Sequence, residues 1–535
     1  APVVEQIGHL DLTASGSVGA NALNIVSATD QDFTLSLTNI LLGRYCEVDF
    51  NPMPQGSATV KIATTNPGGE LTNGTFRYNV ATYKQGTWAM ITDGIVTGMP
   101  DASYVTDFAT AGLNDHLDVA GVVNVGGSTA MTMRFKSPAA TTLTVADGQT
   151  LRTVFGGGNN GAILVAPGAG QVDINGGTID FGANTMFHIH QYNTNAPLVI
   201  ASRLGSDNNP GVSKCGPGEL ILTNRTNAGG GANNGFQIHE GIVTVDSVAD
   251  NDVNSSLGRG AANTPITLGN GTLRYIGEGH ASDRAINLRG DGTIEASGSD
   301  ALHFTRQNAF MLQSGGGDNF ITLAGTGTGI VDGVFVLKAG AIIKDGPGVW
   351  ILNGTNNYYY SDTVVKQGSL VLNGNILYSD CVVKGGAVSG TGDWSTAALY
   401  VQNGGTVAPG SSVGTLTFGE VNLEPGSVYE WEVDGNNTAA DKLISLERLS
   451  LPEEAPNSVT VKVVQVGGPV AGAYPAMTFT MLTGDTNSLV VNAAGTGYSQ
   501  ASLNITDTGI TMGLVPEPAR LVLAPLALLA FRRRA

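Results

Sequence analysis

The sequence predicts an all-β chain wound into a parallel β-helix, and three observations carry that prediction. Glycine supplies 75 of the 535 residues, while charged residues make up only 13%, roughly half the usual share. The tripeptide Gly-Thr-apolar recurs at Gly177-Thr178-Ile179, Gly271-Thr272-Leu273, Gly292-Thr293-Ile294, Gly405-Thr406-Val407 and Gly414-Thr415-Leu416. A longer word occurs twice, as Lys214-Cys215-Gly216-Pro217-Gly218-Glu219-Leu220-Ile221-Leu222 and as Lys344-Asp345-Gly346-Pro347-Gly348-Val349-Trp350-Ile351-Leu352. With 41% apolar residues there is ample surface to bury, which excludes a disordered chain. Glycine turns each corner, threonine favours the strand, and the aliphatic residue points inward. One coil cannot cover its own inner face, so coils must stack, and the 21-residue step from Gly271 to Gly292 suits one coil.

Residues 1–105 lack the repeat words. The alternation Phe33-Thr34-Leu35-Ser36-Leu37 predicts a strand with one buried face, and the region reads as a β cap, or irregular first coils, shielding the open end of the column. Residues 106–442 carry the repeats and form the solenoid. In both long words Gly-Pro-Gly sets a sharp turn before a short buried strand. Each is followed by a second apolar strand, Gly241–Val245 or Gly368–Leu372. Residues 443–514 read as a closing set of strands. Within them Leu451–Pro456 is a surface loop, because its two prolines cannot donate to a central ladder.

Residues 515–535 differ in kind. They read Val515-Pro516-Glu517-Pro518-Ala519-Arg520, then eleven apolar residues Leu521–Phe531, then Arg532-Arg533-Arg534. As a helix the apolar run spans about 16 Å, roughly half a bilayer's hydrocarbon core. The arginines would hold its far end in the cytoplasm. This order resembles the PEP-CTERM sorting tail of Gram-negative bacteria, with Arg520 and Pro525 as departures from the usual pattern. The resemblance implies export, transient membrane contact through the tail, and its removal near Pro516-Glu517-Pro518 by an exosortase-like membrane protease. Ala1-Pro2-Val3 opens directly into polar sequence, so a secretory leader is expected to have been removed.

The segment from about Thr106 to Asp441 resembles the autotransporter-associated β-strand repeat of bacterial surface proteins. The likeness rests on Lys-x-Gly-Pro-Gly-x-x-Ile-Leu, the loop Asn353-Gly354-Thr355-Asn356-Asn357, Ser256-Leu257-Gly258, and Val407-Ala408-Pro409-Gly410-Ser411-Ser412-Val413-Gly414-Thr415-Leu416 with the later Asp441-Lys442-Leu443. It implies a right-handed parallel β-helix displayed outside the cell. Residues 443–512 are too few to close the membrane barrel of a true autotransporter, so self-transport through a C-terminal pore is not expected.

Net charge is −18, which disfavours nucleic acid as a partner. Three scattered cysteines, Cys46, Cys215 and Cys381, give neither a disulfide framework nor a metal spacing. His188 and His190 would share one face of a strand, close enough for two ligands of one metal, but no third ligand is evident and solvated histidines are the plainer reading. Asp173 and Asp180 flank a glycine turn as an acid/base pair would, yet their strand pattern marks the solvent face. Gly156-Gly157-Gly158 and Gly229-Gly230-Gly231 lack the context of a phosphate cradle. Asp434-Gly435-Asn436-Asn437 suits at most a weak calcium contact. Tyr358-Tyr359-Tyr360 reads as packing between coils with at least one ring exposed, or as a carbohydrate platform. No catalytic residue, cofactor or metal is assigned, so the chain is expected not to be an enzyme. The reading is an exported structural or adhesive β-helix of the cell surface or extracellular matrix, with extracellular polysaccharide or other envelope proteins as partners. The alternatives are a β-helix polysaccharide-active enzyme or carbohydrate binder, and a subunit of an extracellular array or filament.

Overall fold

The computed structural model describes residues 3–12, 19–42, 46–64, 69–70, 81–153, 161–182, 186–205, 211–230, 235–307, 310–313, 318–337, 340–376 and 378–517. Among them there is no α-helix, only strands and two short 3₁₀ turns. The chain divides into two compact units, residues 1–387 and 388–535.

In the first unit, each coil from His116 onward contributes short strands to parallel columns. The first column stacks His116–Asp118, Thr132–Phe135, Ala162–Val165, Met186–Gln191 and Gly211–Cys215. The second stacks Val122–Val125, Thr141–Val145, Val172–Asn175, Leu198–Ile200 and Glu219–Leu222. A third begins with Ser128–Ala130, Thr150–Thr153 and Thr178–Asp180. Parallel pairing throughout, with crossovers through the other columns, is a β-helix. Thr272 pairs with Thr293, which is the predicted 21-residue step. Coil length is nevertheless variable, since Thr132 pairs with Ala162 and Thr363 with Cys381. Strands fix the core while the connections between them absorb the difference. Inward rows are aliphatic and buried, for example Ile174, Ile200, Leu222 and Val245 in one register line.

Both Lys-x-Gly-Pro-Gly words lie in this unit, but they turn different corners. The first joins Gly211–Cys215 of the first column to Glu219–Leu222 of the second. The second joins Ile342–Lys344, second strand of its coil, to Val349–Leu352, the third. Local geometry is the same at both. Lys214 Nζ donates to the carbonyls of Gly216 (2.6 Å) and Glu240 (3.0 Å), and Lys344 Nζ to those of Gly346 (2.6 Å) and Gln367 (3.0 Å). The lysine thus ties one carbonyl of its own corner to one of the next coil. Corner glycines also stack. A Cβ on Gly348 would run into the carbonyl oxygens of Gly327 and Gly325, and one on Gly368, at φ +70°, into those of Gly346 and Gly348.

Residues 3–98 form a separate module. Val3–Leu12, Phe33–Leu42 and Val60–Thr64 pair in parallel, as do Gly19–Val26, Cys46–Met53 and Ala81–Tyr83. The antiparallel hairpin Thr87–Thr92/Ile95–Gly98 closes it. Leu35, Leu37, Phe50, Ile62 and Ile91 are its core. The described contacts of this module run along the flank of the coils, where the sequence suggested a shield over the open end. Trp88 of the module, with Met99 and Tyr104 of the segment that follows it, clusters with Ala162, Leu164 and Tyr192, and Tyr192 Oη lies 2.9 Å from Thr82 Oγ1. First-column strands are consequently buried on both faces, whereas second-column strands alternate. The connecting segment is fastened by Arg134, buried against the Tyr104 ring at 3.5 Å and paired with Asp101 (2.9 Å) and Asp118 (2.8 Å).

In the second unit, Asp393–Val401, Thr415–Leu423 and Lys442–Ser450 stack in parallel, as do Gly405–Pro409, Val428–Asp434, Val459–Val466 and Leu489–Asn492. The strand Gly509–Pro516 ends this order by pairing antiparallel with both Gly472–Thr478 and Tyr498–Thr506. The motif from Val407 to Leu416 is explained by Asp441, whose carboxylate accepts from the backbone N–H of Gly414 (2.9 Å) and Glu432 (2.9 Å). Burial pushes this carboxyl up to about 7 against those two donors. The Asp441 carbonyl accepts from Trp431 Nε1 at 2.8 Å, so corner, strand and core tryptophan are joined at one residue.

Candidate functional site

The histidine pair lies on Met186–Gln191, facing the N-terminal module. His188 and His190 are 0% exposed, not solvated as their sequence context suggests. Their rings are 6.3 Å apart, Tyr192 follows at 6.1 Å, and the Trp88 ring meets His190 edge-on at 5.4 Å. The cover over them comes from residues more than 80 positions away, such as Trp88, which local pattern cannot report. Among the described residues no group of three or more His, Cys, Asp or Glu is placed to hold a metal ion.

The carboxylate candidates are engaged singly. Asp173 accepts from Gln171 Nε2 (3.0 Å), while Asp180 pairs with Arg152 (3.4 Å). Asp434 holds its own turn through Asn436 N (2.8 Å) and Asn437 Nδ2 (2.6 Å). An open groove of about 650 Å³ in the second unit is lined by Asn457, Asp485, Asn487, Leu489, Leu503 and Ile505. There Asp485 accepts from both nitrogens of Asn487 at 2.9 Å, as a turn residue does. Gly156–Gly158 and Gly231 lie outside the described residues, as do Pro518, Arg532, Arg533 and Arg534 of the tail. Pro516 ends the last described strand and Glu517 follows it exposed, its N–H donating to Gly497 O at 2.8 Å.

What the first unit does assemble on its surface is ladders. His303 Nε2 lies 2.8 Å from Asp332 Oδ2; Asn353 Nδ2 donates to Asp332 Oδ1 (2.8 Å), and Asn373 Nδ2 to Asn353 Oδ1 (2.9 Å). These four side chains come from four successive coils. Arg274 similarly bridges Glu219 (3.1 Å) and Glu295 (2.9 Å).

Beside the asparagine ladder lies an aromatic group. Tyr359 is buried, its hydroxyl 2.6 Å from Thr363 Oγ1, so it packs as the sequence suggests. Tyr360 and Tyr378 are 57% and 58% exposed, and Tyr358 stands edge-on to both. The partnership with Tyr378 escaped the sequence reading, although a signal was present: Tyr-Ser-Asp-x-Val-Val-Lys begins at both Tyr360 and Tyr378.

No family model matches the chain. Over 305 residues it is 27% identical to the adhesin BmaC autotransporter of Brucella suis biovar 1, covering 52% of this chain and 8% of that protein. Over 105 residues it is 36% identical to an extracellular serine protease of Serratia marcescens, covering 19% of this chain and 10% of that protein. The chain thus spans a tenth or less of these relatives' own length. Among solved structures, the Haemophilus influenzae Hap adhesin aligns with 92% of this chain and 64% of its own, at 10% identity and a TM-score of 0.28.

Proposed function

We propose that this chain is an exported, non-enzymatic β-helix of the cell surface or extracellular matrix, which adheres through repeated side-chain rows. The observation that carries the reading is the ladder surface: stacked coils set polar side chains in rows, hydrogen-bonded from coil to coil, at a spacing of about 4.8 Å, a geometry suited to weak contacts made many times. The 305-residue similarity to an adhesin supports it. Polysaccharide or other envelope proteins are the partners such a surface suits. Sorting is assigned to the tail, with Pro516, Glu517 and Pro518 as the segment an exosortase-like protease would recognise, and Arg532, Arg533 and Arg534 as the cytoplasmic stop. Glu517 is exposed at the end of a strand, where a protease can reach it.

Deleting residues 516–535 and fractionating the cells tests this. The full chain is expected at the cell surface and the truncated one free in the periplasm or medium. Retention of the truncated chain at the surface would overturn the sorting assignment.

A further inference from the structure

We propose that Tyr360 and Tyr378, braced by Tyr358, form a binding site for a neutral polysaccharide. This deepens the adhesive reading above by naming a ligand class, and rests on it only in taking this surface to face outward.

The site is duplicated. Tyr360-Ser361-Asp362-Thr363-Val364-Val365-Lys366 and Tyr378-Ser379-Asp380-Cys381-Val382-Val383-Lys384 lie one coil apart, with Thr363 paired to Cys381 and Val365 to Val383. Tyrosine therefore follows tyrosine, aspartate follows aspartate, and lysine follows lysine. The later part of each word supplies the core, since Val365 and Val383 are fully buried. The tyrosines are held out of it, although the neighbouring Tyr359 shows that a ring can be buried here. Their rings are 5.5 Å apart and 25° from parallel. Tyr358 touches both edge-on, at 5.2 Å and 5.7 Å. Rings that brace one another lose little freedom when a ligand arrives.

The chemistry selects the ligand. A phenol offers a flat apolar face to the C–H face of a pyranose and a hydroxyl to its neighbours. Asp362 and Asp380 precede the paired Thr363 and Cys381, and Lys366 and Lys384 follow the paired Val365 and Val383, so both charge types stack one coil apart. Two aspartates and two lysines leave the duplicated word neutral, while the chain carries −18. An anionic polymer is repelled by that charge; a neutral one is not. Coils repeat at about 4.8 Å, so a polymer that also repeats meets each copy in turn. A stable protein interface needs a far larger patch than two rings among polar groups.

The full chain can be run by native affinity electrophoresis in gels containing mixed-linkage glucan, galactomannan or dextran, with polygalacturonate as the anionic comparison. At least one neutral polymer is expected to retard it. Tyr378→Ala should weaken that retardation about tenfold, and Tyr360→Ala with Tyr378→Ala about a hundredfold, with circular dichroism and melting temperature unchanged. No retardation by any of the three neutral polymers, equal retardation of the double variant, or retardation by polygalacturonate alone would overturn the site. Display on cells and retardation of purified protein are separate readouts, so loss of one is distinguishable from loss of the other.

Discussion

Lys214 occupies a core position, between Ile189 and Ile238 in register, yet carries an ionisable group there. Burial pushes its ammonium down to about 8 from the ordinary 10.5, against the opposing pull of Cys215 and Glu240. Between pH 8 and 10.5 the unfolded chain therefore binds more protons than the native one, and this group's contribution to stability rises with pH across that window. Lys214→Met removes the titration. Wild type should gain about 3 kcal/mol relative to the variant between pH 8 and 10.5 in equilibrium unfolding; a flat difference would show that the native amine keeps its ordinary affinity for the proton. The lysine was visible in the sequence as part of a repeated word, but its role was not. Lysine is read as a surface residue, and only the two carbonyls of its corner and the next coil explain its burial.

At the scale of the turn and strand, the corner glycines answer to two constraints that can be separated. Gly121 has φ +73° with nothing within 4 Å of a Cβ, whereas Gly368 has φ +70° and a Cβ there would meet the Gly346 and Gly348 carbonyls. Gly121→Ala should cost about 1 kcal/mol from backbone strain alone. Gly368→Ala should cost about 3 kcal/mol, because adjacent coils must also move apart; thermal melts of the two variants check the difference. Such elements were legible because their signals are local. Gly-Thr-apolar at Gly271 and Gly292 gave the correct pairing of Thr272 with Thr293. Two distinctions were not legible. The Lys-x-Gly-Pro-Gly words look like equivalent repeats but turn different corners, since coils of unequal length shift the phase between word and column. His188 and His190 look solvated because alternation describes one strand, not what is laid across it.

For the first unit taken entire, the module of residues 3–98 is what converts a two-faced column into a doubly covered one. Trp88, 3% exposed, is its anchor on His190 and Tyr192. Cys215 lies in register with His190 beneath that cover, while Cys381 sits elsewhere in the core; both are buried and neither is in a disulfide. Trp88→Ala should weaken the cover by about 3 kcal/mol and raise the labelling rate of Cys215 by a maleimide about a hundredfold, leaving Cys381 protected. Equal labelling of both would mean that the whole unit loosens instead.

The strand Gly509–Pro516 has a mechanical consequence. It is hydrogen-bonded on both sides, to Gly472–Thr478 and to Tyr498–Thr506. Traction at Glu517 directed along that strand loads two ladders in shear at the same time, and many bonds resist together. A strand held at one edge and tugged sideways would unzip bond by bond. A tether pulling in that direction at Glu517 therefore acts on a strand held at both of its edges.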